Sequence, residues 1–97
     1  MKINGEEYTA PELNFTTMRK MENFGVTLNT IDDKPLNFLG AYVAIAIGSD
    51  LKAADEKIDA HINAGGTIDE LSKDMKEAIE KSGFFKKPLD SETQPSD

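Results

Sequence analysis

The chain has 97 residues, with 18 acidic against 11 basic side chains, a formal charge of -7 and no cysteine. At this length the expectation is one domain with a modest core, burying about 60–65% of the surface its unfolded chain exposes. The missing cysteine excludes disulfide frameworks, thiolate nucleophiles and zinc–cysteine sites, and the acidic balance argues against nucleic acid and anionic membranes as partners.

The N-terminal MKINGEEYTA holds no apolar run of the signal-peptide kind. Its Asn4-Gly5 pair predicts a two-residue type I′ hairpin turn, because both central positions of that turn need positive φ. In that register Ile3 faces Glu6, Lys2 faces Glu7 and Met1 faces Tyr8. Met1, Ile3 and Tyr8 then share one face, while Lys2 and Glu7 can pair on the other. Pro11 ends the second strand. A lone hairpin of this size is marginal and must lean on helices or on another subunit's strand.

NFTTMRKMENFG predicts a first helix, with Asn14 as N-cap and Gly25 at C′. Phe15, Met18, Met21 and Phe24 recur every third residue, which spreads them over about half the helix surface. Methionine more often fills core gaps, yet Met-rich faces also suit adaptable peptide binding. Met18 and Met21 are therefore candidates for either role. In VTLNTIDDKP, Thr30 and Asp33 look like a capping-box variant opening a brief turn, which Pro35 cuts short or restarts.

LNFLGAYVAIAIG, residues 36–48, is almost entirely apolar. As a helix it reaches about 20 Å, short of the ~20 residues a bilayer span needs. On a helical wheel Leu36, Phe38, Leu39, Tyr42, Val43, Ile45 and Ile47 cover more than half the circle, and Gly40, Ala41 and Ala44 fill the rest. A helix apolar all round is a buried one, and its small face lets another backbone come close. Gly48 closes it.

Ser49 or Asp50 caps the next helix, LKAADEKIDAHINA, whose Leu51, Ala54, Ile58, His61 and Ile62 form a stripe about 100° wide. Gly65-Gly66 breaks it. Thr67 and Glu70 make a capping box for the last helix, which carries Ile68, Leu71, Met75, Ala78 and Ile79. These two helices are expected to form an antiparallel pair laid across the apolar one. Ser82-Gly83 ends the last helix, and residues 87–97 read as a disordered polar tail. The predicted fold is α+β, predominantly α. An N-terminal β-hairpin is followed by about four helices packed round a central apolar helix, in a single domain over residues 1–86.

Chemistry is scarce. His61 is the sole histidine, and no Cys or second His can complete a typical transition-metal set. It reads as a half-buried helix residue with its ring tip in water. The carboxylates of the last two helices interleave with lysines. Asp69–Lys73 and Glu77–Lys81 have the favourable i,i+4 order of a solvated face. Asp32-Asp33 lacks the glycine and alternating oxygens of a calcium loop, and NAGG lacks the lysine and preceding strand of a phosphate loop. No catalytic, cofactor or metal site is read, so a binding role is expected rather than an enzyme. Phe84 and Phe85 are adjacent and cannot share one face of a regular element. One can fold onto the core while the other points out, so they form either a C-terminal staple or a partner anchor.

The order of the pieces is KINGEEY, PELNFTTMRKMENFGV, KPLNFLGAYVAIAIGSD, HINAGGTIDELSKDM and EKSGFF. Over about residues 2–86 this pattern resembles the small tail assembly chaperones of long-tailed bacteriophages and prophages of Gram-positive bacteria. The resemblance implies a non-enzymatic protein of the host cytoplasm, absent from the finished virion. It would coat the aggregation-prone tape-measure protein and keep it soluble while tail-tube protein assembles around it. In many such phages a frameshift adds a second domain that recruits tube subunits, and the polar tail from Lys87 suits the short form. A coat needs many copies, a soluble exterior and an adaptable apolar groove. Phe15, Met18, Met21, Phe84 and Phe85 are the candidate partner contacts. The hairpin edge marked by Ile3 and Tyr8 is the candidate link between copies in a homo-oligomer. The alternative reading is a generic small helical interaction module or regulator with one defined partner.

Overall fold

The computed structural model describes residues 1–82. In chain order these form β1 (Lys2–Ile3), β2 (Glu6–Glu7), α1 (Phe15–Glu22), a 3-10 turn (Leu28–Thr30), α2 (Pro35–Ile47), α3 (Leu51–Asn63) and α4 (Ile68–Lys81). The class is α+β and predominantly α, as the sequence predicts.

The hairpin has the expected register, Lys2 opposite Glu7 and Ile3 opposite Glu6. Asn4 and Gly5 both take positive φ, 50° and 84°. One detail differs. Glu7 turns to the Met1 ammonium, at 3.3 Å, rather than to Lys2. Ile3 is completely buried, because β1 docks on α3. At the surface, Lys57 of α3 reaches Glu6 at 2.8 Å, and this holds the Glu6 carboxyl below its usual range, with help from the Tyr8 hydroxyl. Exposed as it is, the pair adds little stability.

The helix ends follow local rules. Asn14 Oδ1 accepts the Thr17 N–H at 2.9 Å and starts α1. Asp50, not Ser49, caps α3 through the Ala53 N–H, also at 2.9 Å. Gly25, Gly48 and Gly65 each donate to the carbonyl three residues back, and the residue after each donates five back. This paired closure is the Schellman motif, and its left-handed C′ residue is why glycine stands there. The capping box before α2 lies one step earlier than expected. Thr27, not Thr30, is the cap, with its N–H donating to Thr30 Oγ1 at 3.0 Å. A threonine hydroxyl at N3 does the job expected of an acid. Pro35 then restarts the helix at N1, where a missing N–H costs nothing.

Helix α2 is the centre. Phe38 through Ala44 are all buried, and α1, α3 and α4 each pack on it. Leu36 departs from the wheel. It sits in the first turn, beyond its neighbours' reach, and is 68% exposed. The expected α3–α4 pair is also corrected. Both helices have α2 as their main helical neighbour, because the small side chains Ala41, Ala44 and Ala54, all fully buried, let α3 come in close. Gly40 is different. A Cβ there would meet Leu51 Cδ2 at 3.9 Å and Asp55 Oδ1 at 4.0 Å, ordinary contacts. Gly40→Ala is therefore expected to raise stability by about 0.5–1 kcal/mol, the usual helix gain over glycine. A lower urea midpoint would show the α2–α3 contact to be tighter than that.

Candidate functional site

The surface offers two apolar clefts and one buried polar junction. The first cleft, about 250 Å³, is lined by Phe15, Met18, Arg19, Glu22, Val26, Thr27 and Leu28. The Asn14 cap places Phe15 at the very start of α1. The Gly25 turn folds the chain back, so that Val26 to Leu28 run beside the same helix. Met18 and Val26 form a buried floor, whereas Phe15 is 66% and Leu28 56% exposed. Arg19 and Glu22 flank it with opposite charges. Such a cleft can take an apolar side chain of another polypeptide.

The row of every third residue does not stay on one side of α1. Each step of three falls short of a full turn by about 60°. Phe15 therefore faces out, Met18 lies at the cleft floor, and Met21 has no exposed surface at all. Met21 is thus a core residue and offers a partner no contact. Ile3 is likewise buried and Tyr8 half-buried, so the apolar face of the hairpin serves the core. For strand addition it offers only two-residue strands, with Glu6 and Glu7 exposed on β2. Phe84, Phe85 and the tail from Lys87 lie outside the described residues. Leu28 belongs to the cleft but carries no periodic signal, since it sits in an isolated 3-10 turn. Only the turn at Gly25 brings it to α1.

His61 departs from its expected place. It is buried, with both ring nitrogens engaged. Nδ1 accepts the Asn4 N–H at 2.8 Å, so the ring proton sits on Nε2, 3.0 Å from Glu70 Oε1. The ring thus ties the hairpin turn to the N-terminus of α4. Glu70 Oε1 also accepts the Thr67 N–H at 3.1 Å. That backbone bond first, and His61 second, hold the Glu70 carboxyl below its usual range. A depressed folded value means this support is complete above the ordinary carboxylate range and disappears as pH falls through the lowered value. Glu70→Gln should therefore flatten, without abolishing, the loss of urea stability between about pH 5 and about pH 3. An unchanged slope would mean the bonds do not form in solution.

The second cleft is larger, about 520 Å³. Residues 10–14 form one wall, α4 from Asp74 to Ser82 forms the other, and Tyr42 lies at the base. Tyr42 Oη donates to the Pro11 carbonyl at 2.5 Å, and Ser82 Oγ donates to the Leu13 carbonyl at 2.6 Å. Burial, with Asp74 nearby, pushes the Tyr42 phenol up to about 12, so it stays a donor at ordinary pH. Tyr42→Phe should leave the Pro11 carbonyl unpaired and cost about 1–2 kcal/mol. In a domain this size that is a Tm drop of about 4–8 °C for each kcal/mol. Calorimetry measures it, and an unchanged Tm would remove this bond from the account.

Among the described residues no group of three or more His, Cys, Asp or Glu side chains could hold a metal ion. No described helix is long and apolar enough to cross a membrane. The fold and its clefts define a small, mostly helical α+β domain with an open apolar surface on an acidic body. No protein-family model matches the sequence, and no curated protein or solved structure matches it either.

Proposed function

We propose that this protein is a phage tail assembly chaperone. In this reading it binds tape-measure protein in the host cytoplasm, keeps it soluble until tail-tube protein surrounds it, and leaves before the virion is complete. The order of sequence motifs supplies the partner's identity. The observation that carries the reading is the open cleft at Phe15 and Leu28. A long amphipathic helix presents apolar side chains at three- and four-residue spacing, which suit a row of such clefts on successive copies. The formal charge of -7 gives the coated complex a mutually repelling exterior. The role needs no catalytic group.

The test is co-expression with the tape-measure protein encoded beside it. The long partner should stay in the soluble fraction and co-purify with many copies of this chain. Precipitation of the partner at the same level with and without this protein would end the reading. A single copy bound at fixed stoichiometry to some other protein would favour a regulator instead.

A further inference from the structure

We propose that the larger groove, between residues 10–14 and α4, is the seat of this chain's own next residues. One of Phe84 and Phe85 lies between Leu13 and Ala78, and Lys86 and Lys87 lie on the acidic rim. Three observations converge on that occupant. First, the described chain ends on the rim itself. Ser82 lines the groove and is fastened to the opposite wall by its bond to the Leu13 carbonyl. Its backbone has already left the helix for an extended conformation, φ -81° and ψ 122°.

Second, the lengths agree. Gly83 follows, a residue free to reverse the chain. Back along α4 from Ser82 to Asp74 is about 12 Å, and four extended residues cover about 13 Å.

Third, the chemistry is complementary. The lining carries three carboxylates, Glu12, Asp74 and Glu77, against one ammonium, Lys81. The segment supplies Phe84-Phe85-Lys86-Lys87. Successive side chains of an extended segment point to opposite sides, so one phenylalanine enters and the other faces solvent. The contact is intramolecular, and a tether this short gives an effective concentration in the ~mM range. A free ligand of ordinary affinity is thereby kept out, leaving the α1 cleft as the surface open to partners. This assignment does not depend on the chaperone reading.

The chain has no cysteine, so Leu89→Cys can carry a single nitroxide on the full-length protein. The expected result is selective loss of the Leu13, Asn14 and Ala78 amide signals, relative to the reduced label, and their return in a Phe84→Ala, Phe85→Ala background. No loss, loss centred elsewhere, or loss indifferent to the two alanines would overturn the proposal. So would the same loss in isotope-labelled, nitroxide-free protein mixed with labelled copies, since the occupant would then be a second chain. If the double alanine variant fails to fold, Asp74→Lys with Glu77→Lys replaces it. Reversing the rim charge should restore the signals, and undiminished loss there would count against the proposal.

Discussion

Gly66→Ala is expected to destabilise this protein by about 2–4 kcal/mol, a large share of the ~5–15 kcal/mol that holds such domains together. The backbone at Gly66 is not left-handed, so the effect is not one of φ. A Cβ built there would stand 2.2 Å from His61 Nε2 and 2.4 Å from Cδ2. A free side chain would swing away cheaply. This one cannot, because its ring is held at both ends, by the Asn4 N–H and by Glu70. Moving it forfeits both bonds, loosens the hairpin turn from α3, and leaves the Asn4 N–H without its acceptor. The check is a double-mutant cycle in urea. In a His61→Ala background the same alanine meets open space, so its cost should nearly vanish, giving strongly non-additive energies. Additive costs in the two backgrounds would show that the ring does not lie over Gly66 in solution.

The second large effect is on binding and leaves the fold alone. Phe15→Ser combined with Leu28→Ser removes the two exposed apolar walls of the α1 cleft, 66% and 56% exposed in the free protein. Residues so open contribute little to the core, and the Tm should hardly move. If tape-measure protein sits in this cleft, burying these side chains is worth about 2–4 kcal/mol. The variant should then bind roughly 30- to 700-fold more weakly and let the partner precipitate on co-expression. A variant that is folded and still holds the partner in solution would move the contact to another surface. Met21→Ala is the contrasting control. It should lower stability by about 2–5 kcal/mol as a core truncation, with no separate effect on binding by the molecules that remain folded.

Much of the architecture was legible because the rules that set it are local. The Asn4-Gly5 turn dictates its own register. The caps at Asn14 and Thr67 and the glycines at 25, 48 and 65 close backbone hydrogen bonds within five residues. The candidate site was less legible. Phe15 and Met18 were found from spacing, but Met21 shares that spacing and lies in the core, because a three-residue repeat drifts around a helix. Leu28 was missed, since one exposed residue in a short turn has no period to betray it. His61 was misplaced for the same kind of reason. Its partners, Asn4 and Glu70, are 57 and nine residues away.

By itself, then, the sequence determined the hairpin register, nearly every helix end and the burial of the apolar helix. Each depends on hydrogen bonds or hydrophobic periods spanning a few residues. Only the tertiary structure decided which apolar side chains remained open at Phe15 and Leu28, that α3 and α4 each lean on α2, and that a single imidazole joins three elements. Those outcomes depend on how separate elements approach one another, a distance that no short stretch of the chain encodes.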